Sequence, residues 1–180
     1  MADFNEYFPQ LLTFEGGYVD DPADPGGATN KGITLATFQA HAQSLLGIAP
    51  TLDNLKSLSN GQAAILYKTL YWDPLHCDAI GLQCLAEDLF DFQVNAGDHA
   101  VLLLQTLLGP PLTADGRFGA DTLAALQAAD QATLYPAYRQ GRIEYYQHLA
   151  NEHPVLQRFL PGWLRRAQWF PEQAPAQTSA

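Results

Sequence analysis

The stretch Glu15-Gly16-Gly17-Tyr18-Val19-Asp20-Asp21-Pro22-Ala23-Asp24-Pro25-Gly26-Gly27-Ala28-Thr29-Asn30-Lys31-Gly32-Ile33-Thr34 governs how this chain is read. It is rich in Gly, Pro and Asp and has no apolar period, so it predicts loop with at most a short hairpin. The residues before it are different. Phe4, Tyr7, Phe8, Leu11 and Leu12 recur at i, i+3, i+4, i+7 and i+8, one face of a helix, and Glu15 is the next member of that stripe. Pro9 predicts that this helix starts late or kinks. A carboxyl where an apolar helix face meets a glycine-rich loop loses part of its water. Desolvation disfavours the charged form of a carboxyl, the direction a general acid near neutral pH requires. The plainer alternative is a helix-ending Glu turned to solvent.

Three further carboxylates, Asp20, Asp21 and Asp24, follow within nine residues of Glu15. Glycosidases generally set two carboxyl groups across the scissile bond, one as acid and the other as base or nucleophile. Gly26, Gly27 and Gly32 allow the backbone to approach a sugar closely, and Thr29 and Thr34 offer hydroxyls. The competing account of the aspartates is turn-making, since Asp-Pro occurs at 21–22 and 24–25. Their spacing does not match an EF-hand calcium loop.

Beyond this stretch the pattern is helical. Thr34 is placed to cap a helix through Leu46, stopped by Gly47, and Ser59 to cap another through about Tyr71. Further helices are predicted near 82–95, 98–108, 119–129, 131–150 and 154–169, with turns at Gly109-Pro110-Pro111 and Asp115-Gly116. Residues 171–180 lack apolar periodicity and are expected to be disordered. No internal repeat is found.

Composition narrows the function classes. Hydrophobic residues make up 47 % of the 180, enough for a full core, and no apolar run reaches the roughly 18 residues a membrane span needs. The first residues lack the basic and apolar regions of a secretory leader, so synthesis in the bacterial cytoplasm without a signal peptide is expected. The net charge is −10, unevenly spread. Residues 1–138 hold Lys31, Lys56, Lys68 and Arg117 against sixteen acids, and the last 42 residues hold five arginines against three acids. Nucleic acid is excluded as a partner on this balance. Electrostatic steering toward an anionic wall is also unfavourable, which fits an enzyme delivered directly to its substrate or held by a basic protein partner. Cys77 and Cys84 are read as two free core thiols, with a disulfide as the alternative. The five histidines form no metal-ligand spacing with each other or with the cysteines, so no metal is expected.

The segment from Glu15 to Thr34 resembles the signature of the family-108 glycoside hydrolases, bacterial and phage N-acetylmuramidases marked by Glu-Gly-Gly-Tyr. Tyr71-Trp72-Asp73-Pro74-Leu75 resembles the end of that catalytic region. Phe90 to Gly97, Leu104-Gln105, Leu108-Gly109 and Asp115-Gly116-Arg117-Phe118-Gly119-Ala120-Asp121-Thr122 resemble the attached peptidoglycan-binding segment, and Gly162-Trp163-Leu164-Arg165-Arg166 its C-terminal end. The resemblance implies that Glu15 is the catalytic acid. In phage lysozymes the acid is followed after eight residues by an Asp and after five more by a Thr. Asp24 has that spacing, Thr29 comes one residue early, and Asp20 and Asp21 stay open as the second carboxylate.

The expectation is therefore an all-α, lysozyme-like fold with a small loop or β-hairpin segment near 20–34. Residues 1–92 form a catalytic part, 93–170 a helical peptidoglycan-binding-like part packed into the same globule, and 171–180 a tail. The implied reaction is hydrolysis of the β-1,4 bond after N-acetylmuramic acid, without a cofactor. Glu15, Asp24 and Thr29 are the catalytic candidates. Tyr18, Asp20, Asp21, Thr34, Gln93 and Asn95 are the substrate-binding candidates. Core packing is the expectation for Trp72, Trp163 and Trp169. The partners are peptidoglycan glycan strands, acted on in the periplasm or cell wall of a target cell, and an immunity protein if the chain is a type VI secretion toxin. Rival readings are a glucosaminidase, a lytic transglycosylase, a phage endolysin and a non-catalytic wall-binding protein.

Overall fold

The apolar stripe ahead of Glu15 folds as α1, Phe4–Glu15, in a computed structural model that describes residues 1–20 and 27–175. Phe4, Tyr7, Phe8 and Leu11 are its buried residues, and the helix begins at Phe4, so Pro9 does not delay it. Contacts divide the chain into two compact units, Phe4–Asp73, and Met1–Asp3 with Pro74–Ala180. Residues 74–92, grouped above with the catalytic part, fall in the second of these.

In the first unit, α1 is followed by a two-stranded antiparallel ribbon, β1 Thr29–Asn30 and β2 Ile33–Thr34, with Asn30 opposite Ile33. An isolated bridge pairs Val19 with Thr29. The turn residues Lys31 and Gly32 both have positive φ, 50° and 74°, the signature of a tight primed hairpin turn. Buried Asn30 pins the ribbon by donating to the carbonyls of Leu55 (2.8 Å) and Lys56 (3.0 Å). Thr34 caps α2, Leu35–His41, accepting from the Thr37 amide. A π-helical turn, Ala42–Leu46, carries that helix to Gly47, whose left-handed conformation ends it. After α3, Leu52–Lys56, Ser59 opens α4, Asn60–Tyr67, with a reciprocal capping box to Gln62. A second π-helical turn, Lys68–Trp72, follows. Trp72 is fully buried and receives the edge of Phe4 at 5.5 Å.

The second unit is built from α5 Gln83–Ala96, α6 His99–Leu108, α7 Ala120–Ala128, α8 Gln131–Glu152 and α9 Leu160–Trp169, with short 3-10 turns at Cys77–Ala79 and Pro154–Phe159. The N-terminal residues join it: the Ala2 amide donates to Ile80 and the Asp3 amide to the Gln83 side chain. An ionic cluster lies at its centre. Asp88, Asp91 and Arg142 are fully buried. Arg142 donates to Asp88 and to Asp91, both at 2.6 Å, and Arg166 reaches Asp91 from α9 at 2.8 Å. The Arg142 guanidinium also lies against the rings of Phe92, Tyr146 and Phe170. Breaking such a pair strands a buried charge and costs about 3–5 kcal/mol. With Arg139, which is buried and donates to the Phe170 carbonyl, three of the C-terminal arginines serve the interior.

Cys77 and Cys84 are free, buried thiols, and burial pushes the Cys84 thiol up to about 11, so it stays protonated at neutral pH. Trp169 departs from the core-packing expectation: it is 46 % exposed, with one edge on Phe170. The expected tail is tied at its start, where the Tyr135 hydroxyl donates to the Pro171 carbonyl. Residues 176–180 lie outside the described residues. No helix among the described residues is long and apolar enough to cross a membrane.

Candidate active site

Glu15 is the last residue of α1, half-buried, with the hairpin turn brought against it. The space a Cβ would take on Gly32 is already occupied by Glu15 Oε2 and by the Tyr67 hydroxyl, with the Glu15 carboxyl carbon at 2.8 Å. Gly32 is needed there twice over, for its positive φ and for the absence of a side chain. The Tyr67 hydroxyl donates to the Lys31 carbonyl at 2.9 Å, which fixes the turn against α4. One turn further, Tyr71 packs at 5.8 Å from Tyr67. Burial, and then the nearby Glu15 carboxylate, hold the Tyr71 phenol above its ordinary value. It therefore stays a hydrogen-bond donor at neutral pH. Glu15, Gly32, Tyr67 and Tyr71 form one constellation: a carboxyl in a half-closed niche, bordered by backbone and two phenols. Among the described residues no cluster of His, Cys, Asp or Glu is placed to hold a metal.

The other sequence candidates sort by position. Tyr18 and Asp20 follow Glu15 on an exposed segment, and the Tyr18 hydroxyl donates to Asp20 at 2.9 Å. Lys56 lies over the Tyr18 ring at 5.5 Å. Thr29 lies in β1 and its hydroxyl donates to the Gly27 carbonyl at 3.3 Å. The Thr34 hydroxyl is engaged as the α2 cap and also meets the Thr37 hydroxyl at 3.0 Å. Asp21 and Asp24 lie outside the described residues. Gln93 and Asn95 belong to the second unit. The Gln93 amide oxygen is buried without a partner among the described residues, and Asn95 accepts from the Tyr146 hydroxyl at 2.5 Å.

Tyr67 and Tyr71 were not singled out from the sequence. Tyr71 opens the Tyr71–Leu75 segment that resembles the end of the catalytic region, but the four-residue spacing of the pair on an apolar helix reads equally well as core packing.

Comparison with known proteins adds to the geometry. Residues 8–97 match the family described as Glycosyl hydrolase 108, and residues 99–168 match one described as Predicted Peptidoglycan domain. A solved structure, that of SagA from Brucella abortus, superposes with a TM-score of 0.74 at 32 % identity, covering 92 % of this chain and 90 % of that one. No curated protein matches the chain in sequence.

Proposed function

Because the chain belongs to glycosyl hydrolase family 108 and carries a peptidoglycan domain, we propose that it hydrolyses the β-1,4 glycan backbone of peptidoglycan after N-acetylmuramic acid, with Glu15 as general acid. The observation that carries this reading is the fit of Gly32 and Tyr67 around the Glu15 carboxyl, beside the exposed residues Tyr18 and Asp20. Glu15 in its acid form protonates the glycosidic oxygen as the bond to the leaving sugar breaks. A second carboxylate from the loop steadies the oxocarbenium-like transition state or activates water. Asp24 takes that role by its spacing from Glu15. Tyr18 and Asp20, joined by their hydrogen bond, supply an aromatic face and an acceptor to a bound sugar.

The test is Glu15→Gln in a wall-clearing assay. The amide is nearly isosteric, so the fold stays intact while hydrolysis falls by about 10²–10⁴, the usual worth of general acid catalysis. Retention of more than about a tenth of the wild-type rate removes Glu15 from the role. Mass spectrometry of the released ends identifies the bond cut. A reducing muramic acid end supports the proposal, a reducing glucosamine end makes the enzyme a glucosaminidase, and an anhydro end makes it a transglycosylase.

A further inference from the structure

We propose that the cavity at the C-terminal end of α6 is a subsite for the peptide portion of peptidoglycan. Its ligand is a short chain of small residues bearing both an ammonium group and a carboxylate. The inference rests on the peptidoglycan reading above and adds which part of the polymer this unit holds.

The cavity has a volume of about 550 Å³ and lies wholly within the second unit, between the end of α6, the 109–119 segment and the first turns of α7. That volume is within the range of small-ligand sites. Small and aliphatic residues, including Leu108, Pro111 and Ala125, share its walls with polar Gln105, Thr113 and Thr122, and no aromatic ring is among the described residues that line it. A pyranose therefore finds no flat face to stack on, whereas methyl-sized side chains find matching surface. Three exposed charged residues also line it: Asp115, whose carboxylate is taken up by Gln105 and the Arg117 amide, and Arg117 and Asp121, of opposite sign. The side chains of the latter two are without a hydrogen bond or ion pair among the described residues. A guanidinium suits a carboxylate through paired donors, and a carboxylate suits an ammonium. The peptide of peptidoglycan offers both groups, from its diamino acid and its free C-terminus, next to alanine-sized residues. A neutral oligosaccharide offers neither.

The wall is also fixed before any ligand arrives. Buried Gln105 places its side-chain nitrogen 3.0 Å from the Asp115 carboxylate, the Arg117 carbonyl and the Thr122 hydroxyl and shares the two hydrogens among them. Its amide oxygen accepts from the Asp115 and Gly116 amides at 3.0 and 2.9 Å. One amide thus holds the segment that carries Arg117, and a pre-formed site avoids the ordering cost of binding.

The test titrates the wild-type protein with a wall tetrapeptide containing the diamino acid, which holds no glycosidic bond, and Glu15→Gln with a neutral N-acetylglucosamine tetrasaccharide. Amide NMR shifts over 108–125 report occupancy. The peptide should move these signals and the saccharide should leave them still. Arg117→Gln and Asp121→Asn, neither of them part of the Glu15 site, should each weaken the peptide about three- to fivefold, the range of a partly exposed ion pair. Shifts from the saccharide alone, no shifts from the peptide, or unchanged affinity in both variants would overturn the proposal. Wall clearing by the wild type is measured alongside. If clearing persists without peptide binding, only the subsite fails; if clearing is absent, the hydrolase reading fails independently.

Discussion

Gly32 and Glu15 fit together so closely that a single methyl group on Gly32 would stand 2.8 Å from the Glu15 carboxyl carbon. The hairpin turn is therefore part of the niche that holds the carboxyl. Gly32→Ala should cost about 1–2 kcal/mol from its positive φ alone and, beyond that, displace Glu15 and depress wall hydrolysis at least about tenfold. Gly47→Ala is the control, since Gly47 also has positive φ, 67°, but open space around its Cα. It should lose similar backbone stability and keep full activity. Equal activities in the two variants, at matched folded fraction, would show that Gly32 matters only for the turn.

The second carboxylate is testable by comparing amides. Asp24→Asn should lower wall hydrolysis more than Asp20→Asn. Asp24 has the eight-residue spacing from Glu15, and Asp20 is already engaged by the Tyr18 hydroxyl. Greater sensitivity at Asp20 would transfer the role to it and leave Glu15 untouched.

Asp88 gives a pH dependence with a definite sign. Burial pushes its carboxyl up to about 6, and the Arg142 guanidinium offsets this only in part; Asp91 pushes the same way as burial, and Arg139 the other way. Its second oxygen has no hydrogen-bond donor among the described residues. The folded state holds this proton more tightly than the unfolded chain. The group therefore adds stability as pH falls from about 6 toward 4, and that stability is lost as pH rises through 6. Asp88→Asn does not titrate. Its deficit relative to wild type should be largest near pH 4 and shrink toward pH 7. Urea unfolding of both proteins at pH 4, 5, 6 and 7 measures this, and a deficit that grows with pH would reverse the assignment.

Gln105 should tolerate no substitution that removes its amide. Gln105→Leu keeps the volume but strips partners from the Asp115 and Gly116 amides and the Thr122 hydroxyl. Each buried group left unpaired costs about 1–3 kcal/mol. A midpoint in urea within about 0.2 kcal/mol of wild type, converted by the measured slope, would contradict the clamp.

Local signals carried most of the fold. Thr34, Gly47 and Ser59 were legible because a cap needs only its own neighbours, and the structure places all three at helix ends. The place of Glu15 at the end of α1 was legible because the stripe and the loop adjoin it. What escaped depends on residues distant in sequence. Tyr67 meets Lys31 across 36 residues, and nothing near Tyr67 announces that contact. The arginines after residue 138 read as a local excess of positive charge, yet Arg142 and Arg166 neutralise acids 51 to 75 positions earlier. Charge counting assigns a sign to a segment and has no access to whom it pairs with. The π-helical turns at 42–46 and 68–72 were hidden for a similar reason, since an apolar period continues through them.

The bond from Arg166 to Asp91 spans 75 residues, and it orders events during synthesis. At typical elongation speeds Asp91 is added to the chain about 4 to 15 seconds before Arg166. Through that interval α5 holds two acids that cannot yet be sealed from water, because their full complement of guanidinium groups does not exist. Arg142 can pair with both acids earlier, but the ion cluster is complete only once the last helix emerges. A message cut short before codon 166 therefore yields a polypeptide in which Asp91 keeps Arg142 but lacks its second arginine.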